Sequence, residues 1–482
     1  MSFVTDFKPG ILWKHFDRIL TIPRGSKNEG EMRQYIIDFA REKGLETKTD
    51  KAGNILVKKG PTEGRENNPV ILQGHMDMVN EKNSDVDHDF DKDPLTPRQE
   101  DDYLYATGTT LGADNGIGMA AALALLEDEE AVHSGLECLF TVDEETGLTG
   151  AAALESDMLS GKFLINLDSE EENAVTVGCA GGAGQDLTMQ MEPARHPGGS
   201  SFEIRLSGLK GGHSGVDIHL QRGNAVSLMA RLLHEIPDEF SLRLVDFQGG
   251  NMHNAIPREA TAVFSDLKSK TDAIRTKLNG VFQEIKSEFK SVEPDIRMDI
   301  SVGDAPEKAF SLDSSARALK LLLTIPHGVA AMSYDIPELV ETSCNLASAR
   351  IKDNILQIHV SSRSSTASAL YALQRKIGAL ASLAAASNQI LEGYPGWRPD
   401  LDSDLLKTAR EAYIEVSGKE PEVYAIHAGL ECGIIKEKYP GLDMVSIGPQ
   451  LDSPHSPDER VLIPSVADFY DVLKVMLRKI AE

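Results

Sequence analysis

The spacing of apolar residues in the N-terminal part of the chain predicts helices and strands that alternate. Two helical faces repeat at a period near that of an α-helix, namely Leu12, Phe16, Ile19 and Leu20, and then Met32, Ile36, Phe39 and Ala40. Ser26 and Glu29 have the spacing of a capping box ahead of the second helix, and Gly44 ends it. Short apolar runs predict strands at 54–58, 70–74, 136–142 and 163–167, with an Ala/Leu-rich helix at 119–126. This order predicts an α/β domain whose central sheet is mainly parallel and flanked by helices.

The pattern changes in the middle of the chain and predicts an inserted α+β domain. Strands are predicted at 201–206, 260–264 and 355–360, with a helix at 224–236. A loop rich in Gly and Pro at 393–399 then returns the chain to α/β material. We therefore predict one domain formed by residues 1–186 and 398–482, and an inserted domain at 187–397.

The inserted domain contains two similar stretches, which begin at Asn254 and Asn345. Each is interpreted as an Asn followed by a turn and a strand. This similarity suggests that the inserted domain is internally duplicated.

Charge and cysteine content restrict the partners and the compartment. The chain of 482 residues carries 75 acidic and 49 basic residues, for a net charge of -26. Nucleic acids and anionic membranes need basic patches, so this balance argues against both as partners. The four scattered cysteines are typical of a reducing compartment, and MSFVTDFKPG has no secretory signal pattern. No apolar run approaches the length of a membrane span, so we expect a cytoplasmic protein.

Acidic residues and histidines follow several of the predicted strands. They are His75 and Asp77 after strand 70–74, Glu144 and Glu145 after strand 136–142, and Asp168 after strand 163–167. Asp114 lies in a Gly-rich turn, and His455 lies in a late loop. Open α/β sheets bind ligands outside the carboxyl ends of their strands. Imidazoles and carboxylates suit zinc, cobalt or manganese, and a hydrolase with two metals usually needs a carboxylate between them. Each feature alone is common without a metal, and it is their order that predicts a metal-dependent hydrolase.

Seven sequence blocks together resemble a known superfamily. They are GHMDMV, GTTLGADNGIG, DEETGLTGA, GGHSG, NAIPREA, HAGLECG and DSPHSP. The chain resembles the two-zinc exopeptidases and deacylases that include carnosinase and carboxypeptidase G, over nearly its whole length. The blocks are most similar to the subfamily of dipeptidases that cleave Xaa-His peptides. The resemblance thus implies a metallo-dipeptidase for Xaa-His and related short peptides, with two Zn²⁺ per chain that Co²⁺ or Mn²⁺ can replace.

The resemblance also implies a role for each residue of the first domain. His75 and Asp168 would bind one metal, and Glu145 and His455 the other, with Asp114 between them. Asp77 would orient His75. Glu144 would be the general base that accepts a proton from water and delivers it to the leaving amine. The bond between Asp114 and Asn115 would be cis.

The same resemblance makes the inserted domain a lid. His213 would stabilise the oxyanion, while Asn254, Arg363 and Gly429 would bind the substrate, with Arg363 on its carboxylate. In some relatives, the other subunit of a homodimer supplies the oxyanion histidine. The resemblance leaves open whether this chain also forms a homodimer. Because the inserted domain is long, we predict instead that His213 acts within its own chain, with hinges near residues 187 and 397.

Two other functions are compatible with parts of this pattern. A deacylase or desuccinylase of N-acyl amino acids would share the metal residues and differ in its pocket. A non-catalytic, metal-containing interaction protein would share the fold, but the presence of Glu144 and all the expected metal ligands argues against it.

Overall fold

The computed structural model describes residues 2–65, 68–195, 199–236, 241–266, 270–304 and 306–482. The chain divides into two compact units. The first unit comprises Met1–Gly178, Trp397–Ala425 and Leu430–Glu482, and the second unit comprises Cys179–Gly396 and Ile426–Gly429.

Helices and strands alternate through much of the chain. The α-helices are α1 (Gly10–Ile19), α2 (Gly30–Glu42), α3 (Ala113–Glu127), α4 (Thr149–Ala153), α5 (Ala225–His234), α6 (Thr271–Glu288), α7 (Leu312–Thr324), α8 (Ala367–Leu383), α9 (Asp404–Ser417), α10 (Glu431–Lys438) and α11 (Ile463–Ala481). The strands of the N-terminal part are β1 (Glu46–Thr49), β2 (Ile55–Lys59), β3 (Val70–His75), β4 (Pro97–Glu100), β5 (Tyr103–Ala106), β6 (Leu136–Thr141), β7 (Phe163–Asn166) and β8 (Ala174–Cys179). The middle strands are β9 (Gly181–Gln190), β10 (Pro193–Arg195), β11 (Ser200–Ser207), β12 (Arg243–Gly249), β13 (Ala260–Asp266), β14 (Arg297–Asp304), β15 (Lys308–Phe310), β16 (Gly328–Met332), β17 (Val340–Lys352), β18 (Ile355–Ser364) and β19 (Ser387–Ile390). The last strands are β20 (Glu422–Ile426), β21 (Asp443–Ser446), β22 (Leu451–Asp452) and β23 (Arg460–Leu462).

The first unit is built on an eight-stranded sheet with the order β1-β2-β6-β3-β7-β21-β8-β20. Its centre is parallel, since β3 runs parallel to both β6 and β7, and β7 runs parallel to β21. The pairs β1–β2, β2–β6 and β21–β8 are antiparallel. The prediction of a mainly parallel sheet is therefore confirmed at the centre of the sheet and is wrong toward its edges. A short turn joins β1 to β2, which permits only antiparallel pairing.

The predicted capping box at the start of α2 is wrong. The helix begins at Gly30, and the Ser26 hydroxyl donates instead to Asp77 Oδ2, at 2.8 Å. Glu29 Oε1 accepts the backbone N–H of Lys27. The Ser26 side chain is therefore used by a tertiary contact rather than by the helix.

When β10, β15 and β16 are set aside, the other strands and the helices of the second unit form two halves with the same order of elements. One half is β11-α5-β12-β13-α6-β14, and the other is β9-α7-β17-β18-α8-β19. In the sheet, the strands of the first half lie in the order β14-β11-β13-β12, and those of the second lie in the order β17-β18-β9-β19. If the strands of each half are numbered along the chain, the first half has the order 4-1-3-2, and the second half has the same order when it is read from the opposite edge of the sheet. The two halves join where β12 pairs antiparallel with β17.

Two predictions for the inserted domain need correction. A boundary at residue 187 would cut β9, whose ten residues pair continuously with β18, so the second unit starts earlier. Asn345 lies inside β17 rather than ahead of a turn, whereas Asn254 lies in the segment between β12 and β13. The two Asn-led stretches therefore do not occupy equivalent positions.

The remaining observations concern the interior. All four cysteines, Cys138, Cys179, Cys344 and Cys432, are buried thiols outside any disulfide, as is typical of a reducing compartment. In the part of the chain that the structure describes, no helix is long and apolar enough to cross a membrane.

Candidate functional site

The predicted metal ligands of the first unit come together at one edge of its sheet. His75 is the last residue of β3, and Asp168 follows β7 by two residues. Glu144 and Glu145 follow β6, which is a parallel neighbour of β3. The carboxyl ends of these three strands meet at one edge, which is where open α/β sheets bind ligands.

Asp114 is the centre of this group. Its Oδ1 lies 2.9 Å from Nε2 of His75, and its Oδ2 lies 3.2 Å from Nε2 of His455. Asp168 Oδ1 also lies 3.3 Å from His75 Nε2, and Glu145 Oε2 lies 3.0 Å from His455 Nε2. Each oxygen of Asp114 therefore faces a different pair, formed by one imidazole and one further carboxylate.

The donors in this group fit two metal cations. Glu145 Oε1 and Asp168 Oδ1 are buried and accept no hydrogen bond within the described part of the chain. Ligand atoms of His75, Asp114 and Glu145 all lie within 4.8 Å of one another. Two imidazoles with three carboxylates form a nitrogen and oxygen donor set that suits zinc and similar divalent ions.

The charges in this group favour a cation. Burial lowers the pKa of His75, but Asp168, Asp114 and Asp77 outweigh it and raise this pKa well above its ordinary value. Asp114 and Glu145 accept hydrogen bonds from the His455 ring and raise the pKa of His455 to about 11. The carboxylates thus stabilise positive charge on both imidazoles, and they would stabilise a cation in place of the protons.

Asp77 supports three of the neighbouring residues. Its side chain is fully buried, and its Oδ1 lies 3.3 Å from His75 Nδ1. Oδ1 also accepts the backbone N–H of Glu144 at 3.0 Å, and Oδ2 accepts that of Glu145 at 3.1 Å. One carboxylate therefore fixes the orientation of an imidazole and the backbone of both glutamates.

Glu144 carries a carboxyl group that binds a proton more readily than usual. Burial raises the pKa of Glu144 well above its ordinary value, and the negative charges of Asp168 and Glu145 add to the rise, although His75 opposes it. A carboxylate with a raised pKa is a stronger base, which favours acceptance of a proton.

The segment that carries Asp114 has an unusual backbone. The bond between Asp114 and Asn115 is cis, as the resemblance implied. Asn115 Nδ2 donates to the carbonyl of Leu167 at 2.7 Å, which links this segment to the end of β7. A Cβ on Gly74 would collide with Oδ1 of the Asn115 side chain, so glycine ahead of His75 leaves room for the two segments to approach.

Two residues of this site, a glutamate and an arginine, were not predicted from the sequence. Glu459 is buried, and its carboxylate accepts backbone N–H groups of the segment that contains Asp114. Arg24 is also buried and donates to the carbonyls of Met76 and Asp77. Neither residue belongs to a periodic pattern. The one available signal was the position of Glu459, four residues after His455.

The second unit holds the four other predicted site residues. His213 and Asn254 line a cavity of about 740 Å³, together with the glycine turns at 211–212 and 249–250. Arg363 Nη1 donates to the Tyr394 hydroxyl at 2.7 Å, and a Cβ on Gly429 would lie 2.8 Å from the ring of Tyr394. Tyr394 thus contacts both Arg363 and Gly429, and it was not predicted.

His213 is held in one defined tautomer. Its Nδ1 accepts the backbone N–H groups of Gly215 at 3.3 Å and Val216 at 3.0 Å. Burial lowers the pKa of His213, and the positive charge of Arg363 lowers it further. The ring is therefore neutral near pH 7 and carries its proton on Nε2, where it can be donated.

Comparison with known proteins identifies the family. The model of peptidase family M20/M25/M40 matches residues 71–481. The chain is 42% identical over 482 residues to the cytosol non-specific dipeptidase of Escherichia coli K12. The aligned residues cover 100% of this chain and 99% of that relative. Aminoacylhistidine dipeptidase from Vibrio alginolyticus has a TM-score of 0.93 and 40% identity, over 99% of this chain and 98% of the other. A tripeptidase from Staphylococcus aureus shares the fold, with a TM-score of 0.56 and 18% identity over 98% of this chain and 99% of its own. The chain belongs to peptidase family M20/M25/M40 and is a peptide hydrolase.

Proposed function

We propose that this protein is a two-metal dipeptidase that hydrolyses Xaa-His and related short peptides. The observation that carries the proposal is the position of Asp114, whose two oxygens each face a separate pair of one histidine and one carboxylate. This is the arrangement that a shared ligand between two cations requires. The names of two similar proteins, a non-specific dipeptidase and an aminoacylhistidine dipeptidase, support a dipeptide substrate.

The proposal divides the ligands into two sets that share one residue. His75 and Asp168 would hold one cation, Glu145 and His455 would hold the other, and Asp114 would contact both. When bound, such cations polarise a carbonyl group and make a water molecule a stronger acid. Zinc is our first choice of metal, and Co²⁺ or Mn²⁺ could replace it, because all three accept nitrogen and oxygen donors.

Glu144 would carry the proton in the reaction. It would accept a proton from the attacking water and pass it to the nitrogen of the leaving amine. Its raised pKa supports the acceptance of the proton. Asp77 would hold the backbone of both glutamates, so that Glu144 carries the proton while Glu145 binds a metal.

The second unit would supply substrate contacts. His213 would donate its Nε2 proton to the oxygen that gains negative charge, and the neutral tautomer described above supports this. Arg363 would bind the substrate carboxylate. Its Nε is buried and donates no hydrogen bond within the described residues, so the guanidinium keeps donors for a ligand. Gly429 and Asn254 would complete the substrate contacts.

We also propose that the second unit is a duplicated lid domain. The identical order of strands and helices in its two halves supports this, and so does their common 4-1-3-2 strand arrangement. His213 and Asn254 would then belong to one half and Arg363 to the other. A cytoplasmic location is part of the proposal, supported by the cytosolic name of the Escherichia coli relative and by the buried thiols.

A matched pair of substrates tests the reaction. Ala-His and N-acetylhistidine release the same histidine, but only the alanyl group carries a free amine, so their relative rates separate a dipeptidase from an N-acyl amino acid deacylase. We expect the zinc-loaded protein to release histidine from Ala-His much faster, and the Glu144→Gln variant to lose this activity. Faster cleavage of N-acetylhistidine or N-succinyl amino acids would instead favour the deacylase function.

A further inference from the structure

A single buried carboxylate organises the segment that carries Asp114. Glu459 is 2% exposed, and each of its two carboxylate oxygens accepts two backbone N–H groups. Oε2 accepts those of Leu111 at 2.7 Å and Gly112 at 2.8 Å. Oε1 accepts those of Ala113 at 2.7 Å and Asp114 at 3.3 Å. These N–H groups lie at the start of α3, whose N-cap residue Gly112 has no side chain to satisfy them.

Four backbone N–H groups favour the ionised form of Glu459, against the burial that raises the pKa of this carboxyl to about 7. A carboxylate offers about four lone-pair positions, and four N–H donors occupy them here. A proton on either oxygen would displace one of these donors. The start of an α-helix also favours a negative charge.

A buried arginine links two of the segments that carry proposed metal ligands. Arg24 is 2% exposed, and its Nη1 donates to the carbonyls of Met76 at 3.0 Å and Asp77 at 2.7 Å. Its Nη2 donates to the carbonyl of Gly112. Arg24 therefore joins the segment of His75 to the segment of Asp114, and the latter is the segment that Glu459 holds.

The third ligand-bearing segment is that of His455. Glu459 follows His455 by four residues in the loop between β22 and β23. This loop brings His455 to Asp114 Oδ2, across 341 residues of sequence, and also holds the backbone of Asp114 through Glu459. The three segments are distant in the sequence, so their relative position depends on contacts of this kind.

We propose that Arg24 and Glu459 are positioning residues that form a clamp, which holds the segments of His75, Asp114 and His455 in place for cation binding. This inference rests on the proposed two-metal function. The clamp contacts backbone atoms beside the ligands, so it would act before any cation binds. Its removal is expected to weaken both cation sites together, because Asp114 belongs to both.

Cobalt binding to the chelated protein tests the clamp without reference to activity. The probe is Co²⁺ alone, followed by its visible absorption, in the wild type, Glu459→Gln and the double variant Arg24→Met/Glu459→Gln. The double variant removes one buried basic and one buried acidic side chain together. The matched control is Glu137→Gln, because Glu137 is another buried glutamate of the first unit and accepts the backbone N–H groups of Ser160 at 2.8 Å and Gly161 at 3.1 Å.

We expect both clamp variants to bind Co²⁺ about 10- to 100-fold more weakly at both sites, the usual effect of losing a residue that supports metal ligands. Glu137→Gln should bind Co²⁺ like the wild type, even if its melting temperature falls as far. Wild-type affinity in the clamp variants, or an equal loss in Glu137→Gln, would overturn the inference. A wild-type protein that binds fewer than two Co²⁺ per chain would overturn the proposed function, which is a different result.

Amide hydrogen exchange on the chelated wild type covers the case in which the clamp variants do not fold. The amides of residues 111–114 should exchange slowly without metal, because the Glu459 carboxylate already binds them. Exchange as fast as that of exposed loop amides would overturn the clamp.

Discussion

Replacing Asp77 by Asn tests how the two glutamates are held apart. The Asp77 carboxylate accepts the backbone N–H groups of Glu144 and Glu145 and the hydroxyl of Ser26, and it lies 3.3 Å from Nδ1 of His75. Asn at this position keeps the size of the side chain but replaces one acceptor oxygen with an NH₂ donor.

The geometry gives the size of the effect. The less harmful orientation turns the NH₂ group toward Ser26, whose hydroxyl can reverse and accept, and so leaves only the Glu145 N–H without an acceptor. Losing one hydrogen bond to a charged group costs about 1.5–3 kcal/mol. This corresponds to about a 10- to 100-fold loss in metal affinity at the site that uses Glu145, since about 1.4 kcal/mol is a factor of ten.

The assay compares Asp77→Asn with Ser26→Ala. Zinc affinity is measured for the chelated proteins, and kcat for Ala-His is measured at saturating zinc. Ser26→Ala removes one neutral donor and keeps both amide contacts, so it should lose less than Asp77→Asn in both measurements. Wild-type zinc affinity and kcat in Asp77→Asn would refute the view that Asp77 positions these glutamates.

Three further predictions concern the proton carrier, pH and the lid. Glu144→Gln should bind two metals per chain but lower kcat for Ala-His by about 10²- to 10⁴-fold, whereas Glu145→Gln should lower the metal content; near-normal turnover of Glu144→Gln would contradict its role. His15 is buried, and burial lowers its pKa to about 4. As the pH falls below about 6.5, the unfolded chain therefore binds a proton at His15 that the folded chain does not bind. The free energy of unfolding should therefore fall by about 2 kcal/mol between pH 7 and pH 5, and His15→Gln should lack this part of the loss in denaturation curves. Mixing inactive His213→Ala and Glu144→Gln subunits should leave the mixture inactive if His213 acts within its own chain, and recovered Ala-His hydrolysis would show that it acts across a dimer.

The sequence predicted the chemistry of the site better than the contacts that support it. His75, Asp168 and the two glutamates follow predicted strands, and parallel strands place such residues at one edge of a sheet. The order of these residues, with the resemblance, was enough to predict that they lie near Asp114 and His455. Local periodicity and short motifs carried this information.

Contacts between distant segments could not be predicted in the same way. Ser26 has the spacing of a capping residue, yet its hydroxyl binds Asp77, 51 residues away. Glu459 has no apolar pattern around it, and the N–H groups it accepts lie almost 350 residues earlier in the chain. Strand direction toward the edges of the first sheet also depends on pairing partners, which the apolar pattern does not specify.

The central claim is that hydrolysis depends on two cations that share Asp114. Stepwise return of Zn²⁺ to the chelated protein, with bound zinc and Ala-His hydrolysis measured at every step, tests it directly. We predict a folded but inactive metal-free protein whose activity reaches its plateau when two zinc ions are bound per chain. Undiminished hydrolysis by the metal-free protein, or a plateau with one zinc ion per chain, would contradict the account.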